Sequence, residues 1–226
     1  MDFSLIGANI VKLITTYWKV FLIDGVTKTL QFTCIAVVLG AILGTFVAML
    51  KMSKLGFVRF LASVYIEVIR GTPILLQLYV FYFVLPEILP FLELSQFMWV
   101  AIAMCVNSGA YVSEVIRSGI QAVDAGQMEA GRSLGLSKLQ TMRKIVFPQA
   151  IRYILPAIGN EMIALLKETS VAGYVAVRDL TKAGDQIRNN TYDAVNPLLT
   201  VALTYLALVV IMTAVLTKVE KRLAKK

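Results

Sequence analysis

Uncharged stretches of membrane-spanning length recur along the chain. Residues 29–50 form a run of 22 residues without a charged side chain, residues 94–113 form a run of 20, and residues 198–217 form another. A helix of about 20 apolar residues matches the ~30 Å hydrocarbon core of a bilayer. The pattern therefore predicts three membrane-spanning helices.

A fourth apolar stretch, residues 57–85, is too long for one straight span. As a single helix it would measure about 43 Å at a rise of ~1.5 Å per residue, and it contains Gly71, Thr72 and Pro73. Proline lacks an N–H group and disfavours helical backbone at the preceding residue. We therefore predict two helical segments that meet at a break over residues 71–73.

A fifth and weaker stretch covers residues 145–166 and contains Pro156, Gly159 and Glu161. Because proline removes a helical hydrogen bond, we expect the helix to loosen near Glu161 and to expose backbone groups to a cavity. Together these stretches predict an all-α membrane protein with five transmembrane helices in one domain.

The first 22 residues have a different pattern. They begin with an acidic second residue, and they lack the basic segment and the small-residue cleavage site of a signal peptide. We predict an amphipathic helix over residues 1–22 that lies at the membrane interface, with Tyr17 and Trp18 as anchors. The transmembrane domain then covers residues 23–220 and leads into a basic tail over residues 218–226.

The basic residues lie mostly on one side of these five spans. Of the 22 Lys and Arg residues, 14 fall within residues 51–59, 117–152 and 218–226. Short loops rich in Lys and Arg stay in the cytoplasm. The pattern therefore predicts an N-terminus outside and a C-terminus in the cytoplasm, and it explains the net charge of +8 without a nucleic-acid partner.

Composition excludes several classes of enzyme. The chain is 58% hydrophobic and 16% charged, and it contains no histidine, which removes Ser-His-Asp catalysis and the usual zinc sites. No P-loop motif occurs, and Cys34 and Cys105 lie in apolar runs. We therefore predict no catalytic residue, no metal site and no cofactor held by this chain.

A polar, basic insert separates the uncharged run 94–113 from the weaker stretch that follows. Asp124 with Gln127, and Ser137 with Gln140, have the spacing of helix-capping boxes. Gly135 between them suits the left-handed position that ends a helix. The insert is therefore predicted to fold as two short helices joined by a turn; a solvated loop with helical propensity is the alternative.

The insert also carries a spaced motif, which is EAG, three residues, G, nine residues, then IVFP over residues 129–148. It resembles the EAA loop of permeases from ATP-binding-cassette (ABC) importers, whose pattern is Glu-Ala-Ala, three residues, Gly, nine residues, Ile-x-Leu-Pro. The departures at Gly131 and Phe147 keep the required size or hydrophobicity. The segments EVIRGTPILLQL and IALLKETSVAGYVAVRDL resemble the polar amino-acid uptake branch of that family. The resemblance covers about residues 20–220.

The resemblance implies a type I importer permease in the cytoplasmic (inner) cell membrane that works by alternating access. Its EAA loop, residues 124–148, would form a coupling helix that docks into a groove on a separate ATPase. Two copies of that ATPase would bind ATP and Mg²⁺. The other implied partners are a second permease, identical or related, and an extracytoplasmic substrate-binding protein. The predicted coupling residues are Glu129, Ala130, Gly131, Arg132 and Gly135.

Polar groups inside the spans are candidate substrate contacts. A charge there costs about 2.5–3.5 kcal/mol on insertion scales, so it faces a cavity or a partner. The carboxylate of Glu161 favours a cationic ligand, such as the side chain of arginine or lysine. The alternative is a purely structural ion pair between Glu161 and Arg70.

Asn107 and Tyr111 lie four residues apart and share one helix face. They are candidates for hydrogen bonds to an amino acid, or alternatively for contacts between helices. Thr72, at the predicted break, has free backbone amides nearby that favour an α-carboxylate. The full predicted set of substrate contacts is Glu161, Asn160, Asn107, Ser108, Tyr111, Thr72, Gly71, Met104 and Leu165.

These observations predict an importer of a polar amino acid, with arginine favoured because of Glu161 and neutral polar amino acids such as glutamine as the alternative. A passive channel and a non-transporting membrane scaffold are the hypotheses from other classes. A channel would need a continuous polar pore lining, which the first and last spans do not show.

Overall fold

The computed structural model describes residues 3–175 and 177–224, and nearly all of these are helical. The predicted all-α class is confirmed. The helices are α1 (Phe3–Thr16), α2 (Lys19–Lys51), α3 (Gly56–Arg70), α4 (Ile74–Ile88), α5 (Gln96–Gln121), α6 (Ala125–Ser133), α7 (Lys138–Thr141), α8 (Phe147–Glu168), α9 (Leu180–Thr191) and α10 (Asn196–Ala224). A π-helical turn, Met142–Val146, joins α7 directly to α8, and a 3₁₀ segment, Thr169–Val175, follows α8.

Within the described residues, three helices are long and apolar enough to cross a membrane: α2, α5 and α10. The pair α3–α4 is a fourth candidate if it is counted as one broken span. Helix α8 has 22 residues, but Arg152, Glu161 and Lys167 interrupt its apolar pattern. The five-span count therefore stays a prediction.

The break between α3 and α4 lies where the sequence predicts it. The two helices are bent by 104°, with Gly71 as the C-terminal cap of α3 and Pro73 in extended backbone before α4. Pro73 has no N–H to continue the helical ladder. The proline and the residue before it therefore turn one long apolar stretch into two short helices.

Helix α8 differs from expectation. It is a continuous α-helix from Phe147 to Glu168 with Pro156 inside it, so the predicted loosening near Glu161 does not occur. The irregular backbone lies earlier, in the π-helical turn just before Pro148. Proline cannot donate to the carbonyl four residues before it, so the regular hydrogen-bond ladder is interrupted at this point.

Helices α2 and α5 pack closely against each other. A β-carbon built at Gly44 would lie 2.7 Å from Cβ of Val112 and 2.8 Å from the carbonyl oxygen of Gly109. Gly40 meets Ser108 in the same way, one helical turn along α2. Small residues spaced by four let two backbones approach closely, as in membrane helix pairs.

Helix α1 packs onto the body of the protein. Leu13 lies in α1 and Tyr17 directly follows it, and both contact a buried cluster that includes Phe21, Leu180 and Val201. The first apolar helix starts at Lys19, earlier than the run 29–50 suggests. The interfacial position of residues 1–22 stays a prediction. Met1, Asp2 and the tail lysines Lys225 and Lys226 lie outside the described residues.

Candidate functional site

Gln77 joins the two sides of the break between α3 and α4. Its Nε2 donates hydrogen bonds to the carbonyl oxygen of Ile69 at 2.7 Å, to the carbonyl oxygen of Thr72 at 3.0 Å and to Thr72 Oγ1 at 2.9 Å. In an uninterrupted helix the Ile69 carbonyl would accept from the N–H of residue 73, which Pro73 lacks. The Gln77 side chain therefore supplies the donor that the proline removes.

The same glutamine connects the break to α5. Asn107 Nδ2 donates to Gln77 Oε1 at 3.0 Å, and both side chains are buried. Asn107 Oδ1 is buried and has no hydrogen-bond partner within the part of the chain that the structure describes. Leaving such an acceptor unpaired costs about 1–3 kcal/mol. Of the predicted contacts, the structure thus brings Asn107 and Thr72 together through Gln77.

Gly71 and Thr72 are already engaged at the end of α3. The Gly71 amide donates to the carbonyl of Glu67 at 2.8 Å. The Thr72 hydroxyl donates to the carbonyl of Val68 at 2.8 Å and accepts from Gln77. The amide of Gly71 is therefore not free for an α-carboxylate in this arrangement, because the helix end uses it.

Tyr111 lies next to a charged cluster on the C-terminal half of α5. The guanidinium carbon of Arg70 is 5.3 Å from the centre of the Tyr111 ring, and Arg70 Nη1 is 4.0 Å from Glu114 Oε2. Glu114 also accepts from Arg117, with Nη2 to Oε2 at 2.7 Å. Arg70 therefore pairs across the helices with Glu114.

Glu161 is half-buried on α8, with the exposed Asn160 beside it. Among the described residues, no Lys or Arg nitrogen lies within 4.0 Å of its carboxylate, so the alternative ion pair with Arg70 is not observed. The Glu161 carboxylate therefore has no cationic partner among the described residues. If α8 crosses the membrane, as the sequence predicts, a carboxylate without such a partner is costly there.

Three of the predicted contacts lie in packed interiors. Met104 and Leu165 are fully buried in one apolar cluster. Ser108 is fully buried against Gly40 of α2, where a β-carbon would overlap the serine side chain. These side chains fix the helices, and the structure does not place them on an open surface.

The end of α6 has the geometry that the motif predicts. Gly135 adopts φ 83°, its N–H donates to the carbonyl of Arg132 at 3.0 Å, and the N–H of Leu136 donates to the carbonyl of Gly131 at 3.1 Å. These two hydrogen bonds form a Schellman motif, which needs a left-handed residue. The expected left-handed conformation of Gly135 is therefore observed.

The two predicted capping boxes differ in outcome. Ser137 and Gln140 form the complete reciprocal box at the start of α7. Asp124 caps α6 by accepting a first-turn amide at 2.7 Å, but Gln127 instead accepts from Gln149 Nε2 at 3.1 Å. The Gln127 side chain therefore does not complete the capping box. Its hydrogen bond with Gln149 links α6 to α8 instead.

The outer face of this insert is open to solvent. Glu129, Ala130 and Arg132 are exposed, and Leu134 and Leu139 expose 80% and 76% of their surface. Two exposed leucines beside a small residue and two charged ones are suited to a protein partner with an apolar groove.

This combination of short external helices on an apolar bundle recurs in known proteins. A family model described as "Binding-protein-dependent transport system inner membrane component" matches residues 36–225. The chain belongs to this family. As a permease subunit it is a translocation component without catalytic activity, and ATP hydrolysis resides on a separate subunit.

Named relatives cover almost the whole permease. It is 39% identical over 212 residues to the putative glutamine transport system permease protein GlnP of Rickettsia typhi, covering 93% of this chain and 97% of that protein. It is 38% identical over 203 residues to the arginine transport system permease protein ArtQ of Bacillus subtilis, covering 90% and 92%.

Solved structures show the same fold. The permease is similar to a chain in the crystal structure of an amino acid ABC transporter with histidines, with a TM-score of 0.87 and 40% identity over 92% of this chain and 96% of that one. It shares its fold with the inward-facing MetNI methionine ABC transporter, at 20% identity and a TM-score of 0.76, over 90% and 96% of the chains. The permease therefore has the type I ABC importer fold.

Sequence reasoning did not identify Gln77 or the exposed leucines of the insert. Gln77 is a polar residue within an apolar segment, four positions after Pro73, where its side chain replaces the missing donor. Leu134 and Leu139 are large apolar residues within a polar insert. Each of these residues differs in polarity from the segment around it, and that difference could have been recognised in the sequence.

Proposed function

We propose that the chain is the membrane subunit of an ATP-driven importer for a polar amino acid, with arginine the favoured substrate. It crosses the cytoplasmic (inner) membrane five times, through α2, the broken pair α3–α4, α5, α8 and α10. Its N-terminus lies outside and its C-terminus in the cytoplasm. Relatives named for glutamine and for arginine support the substrate class.

Basic residues at the C-terminal ends of α2 and α10 support this topology. Lys51 lies in the last turn of α2, and Lys221 and Arg222 lie in the last turn of α10. Loops with such residues stay in the cytoplasm. Residues 1–22 then lie at the outer interface, residues 23–220 form the transmembrane domain with its cytoplasmic loop 124–148, and residues 218–226 form the tail.

The loop 124–148 couples the permease to its ATPases. We assign the contacts to Glu129, Ala130 and Arg132 on the exposed face, with Gly131 and Gly135 holding the helices at the angle needed for docking. Two ATPase copies bind ATP and Mg²⁺, and the permease itself binds no cofactor. A second permease, of the same or a related sequence, and an extracytoplasmic binding protein complete the complex.

The observation that carries the arginine assignment is the half-buried carboxylate of Glu161, which has no cation within 4.0 Å among the described residues. A guanidinium or ammonium group of the substrate would supply that charge. Asn160, the preceding residue on α8, contributes polar surface beside it, and we assign Tyr111 and Asn107 as further polar contacts of the substrate.

Glutamine is the second candidate because of the buried amide pair Gln77 and Asn107. The free Oδ1 of Asn107 can accept an N–H from a neutral side-chain amide as readily as one from a cation. Under this alternative Glu161 is structural, and selectivity among amino acids resides in the binding protein.

Calorimetric binding to the purified permease–ATPase complex tests these assignments. We would titrate arginine, lysine, histidine, glutamine and glutamate into the parent complex and into Glu161→Gln. The matched control is Glu67→Gln, which removes an exposed carboxylate on α3. Loss of arginine and lysine binding in Glu161→Gln alone supports the basic substrate.

Equal binding of arginine and glutamine in the parent, or unchanged arginine binding in Glu161→Gln, contradicts the arginine assignment. Uptake into vesicles without ATP would contradict the importer and favour a passive channel. A complex that neither binds nor moves any of these amino acids would favour a scaffold.

A further inference from the structure

The orientation of the Gln77 side-chain amide is fixed by its surroundings. Its nitrogen faces the carbonyl oxygens of Ile69 and Thr72 at 2.7 and 3.0 Å. A carbonyl oxygen can only accept a hydrogen bond, so the Gln77 oxygen cannot take that position. The side-chain oxygen of Gln77 must therefore point the other way, toward α5.

This orientation sets the amide of Asn107 in turn. Gln77 Oε1 accepts from the Asn107 side chain at 3.0 Å, and only the nitrogen of that amide can donate. Asn107 Oδ1 is therefore left facing away from Gln77. It is buried without a donor among the described residues, and Asn107 as a whole exposes only 3% of its surface.

A dry, unpaired acceptor is high in free energy until a donor reaches it. A substrate amino acid brings such donors in its ammonium group and, for arginine or glutamine, in its side chain. If the Asn107 amide were reversed, its NH₂ group would take the place of this acceptor and would repel every one of these donors. The orientation therefore decides whether the site accepts N–H groups.

We propose that Gln77 is a positioning residue of the substrate site, which holds the Asn107 amide so that its Oδ1 accepts an N–H group of the transported amino acid. The cause lies in the helix break, because Pro73 frees the Ile69 carbonyl that anchors the Gln77 nitrogen. This inference rests on the proposed function and specifies how α3–α4 and α5 act together at one substrate contact.

A double-mutant cycle on the permease–ATPase complex tests this role. L-arginine and L-glutamine are titrated into the parent, Gln77→Met, Asn107→Ala and the combined variant. Methionine keeps the length of the side chain and removes its amide. We expect Gln77→Met to weaken binding about tenfold, and the combined variant to bind no more weakly than Asn107→Ala alone, because both changes remove one interaction.

A merely structural role for Gln77 would give a different pattern. It would lower the yield or the thermal stability of the complex, while the remaining folded complex would bind with the parent dissociation constant. Additive losses in the combined variant, or unchanged binding in Gln77→Met while Asn107→Ala binds weakly, would overturn the inference and leave the proposed function intact. Absence of binding in the parent would overturn both.

Gln77→Glu replaces Gln77→Met if the methionine variant does not assemble. Burial favours the protonated form of its carboxyl group, whose O–H donates to the Ile69 carbonyl in place of the amide nitrogen, while the other oxygen still accepts from Asn107 Nδ2. The Asn107 orientation is then retained, and binding stays within about threefold of the parent. A loss as large as that of Asn107→Ala would overturn the inference. Co-elution of each variant permease with its ATPase in gel filtration shows that the variant complexes are assembled.

Discussion

Gly131 lies against the side chain of Thr141, so closely that a β-carbon at position 131 would be 3.0 Å from Thr141 Oγ1 and would overlap Thr141 Cγ2. This contact joins α6 to α7, the two short helices of the polar insert. Thr141 is held in place because its hydroxyl donates to the carbonyl of Ser137 at 3.0 Å. The departure from Glu-Ala-Ala at Gly131 therefore has a local steric reason.

The first prediction concerns this contact. Gly131→Ala gains about 1 kcal/mol in helix propensity but introduces an overlap of a kind that costs about 1–3 kcal/mol. Because the buried threonine cannot rotate away without losing its hydrogen bond, we expect a net loss. Hydrogen exchange of residues 125–141 in the purified complex should become faster, and substrate-stimulated ATP hydrolysis should fall.

Thr141→Ser provides the rescue, because it removes Cγ2 and keeps the hydroxyl. The double variant Gly131→Ala with Thr141→Ser should regain the exchange protection that Gly131→Ala loses. If Gly131→Ala exchanges as slowly as the parent, the helices have moved apart at no cost, and the steric explanation of the motif departure is wrong.

The second prediction concerns the turn after α6. Gly135 has φ 83°, and a residue with a β-carbon in left-handed backbone costs about 1–2 kcal/mol. Gly135→Ala should therefore loosen the Schellman turn and lower coupling between ATP hydrolysis and transport. Gly135→Asn should do less harm, since asparagine tolerates this conformation. The measurement is the number of ATP molecules hydrolysed per amino acid transported.

Gly56→Ala is the matched control for Gly135→Ala. Gly56 starts α3, has no atom within 4 Å of a built β-carbon and has no left-handed backbone. Its replacement should leave the coupling ratio unchanged. Equal effects of the two substitutions would show that loss of glycine in general, and not the left-handed turn, is responsible.

The third prediction concerns the contact between α2 and α5. Gly44→Leu forces a large side chain onto Val112 and the Gly109 carbonyl, whose atoms lie 2.7 and 2.8 Å from the built β-carbon. Overpacking of this kind typically costs about 1–3 kcal/mol or more. The variant should melt at lower temperature in detergent, whereas Val38→Leu on the exposed side of α2 should not.

The length and charge of the apolar stretches were sufficient to predict the helical class and the break after Gly71. A run of about 20 uncharged apolar residues has few alternatives to a membrane-spanning helix. Pro73 has no N–H group with which to continue the helix that precedes it. The backbone around Glu161 could not be predicted in the same way. A proline within a helix can be accommodated when the neighbouring helices pack against it, and α8 stays regular through Pro156.

The insert over residues 124–148 was more predictable than the proposed substrate contacts. Capping and a left-handed glycine depend on residues within a few positions of each other, so the sequence pattern contains the whole interaction. The pair Gln77 and Asn107 lies 30 residues apart, and the partner of Arg70 on α5 is likewise distant in sequence. Such contacts depend on how the helices pack, which sequence periodicity alone does not determine.

The last prediction concerns pH and the segment between α8 and α10. Asp179 is fully buried at the start of α9, where Oδ1 accepts from the Lys182 amide at 2.8 Å and Oδ2 accepts from Tyr205 Oη at 3.2 Å. Burial raises the pKa of Asp179 above its ordinary value, although these hydrogen bonds oppose the shift. A raised pKa in the folded state means that folding favours the protonated carboxyl.

The contribution of Asp179 to stability is therefore fully present below its unfolded pKa and is lost as pH rises through its higher folded pKa. Relative to Asp179→Asn, which cannot ionise, the parent complex should lose thermal stability as pH increases from about 4. Asp179→Ala should be less stable than Asp179→Asn by about 0.5–2 kcal/mol, because alanine cannot cap α9.

Asp193 gives a control of opposite sign. Asn196 Nδ2 donates to Asp193 Oδ2 at 2.6 Å, and this hydrogen bond lowers the pKa of Asp193 below its ordinary value. Its contribution is present above the unfolded pKa and is lost as pH falls through the folded one. Relative to Asp193→Asn, the parent should therefore lose stability on acidification. Melting temperatures of the two variants across a pH series, each compared with the parent, should diverge in opposite directions; parallel curves would show that neither carboxylate controls the stability of this segment.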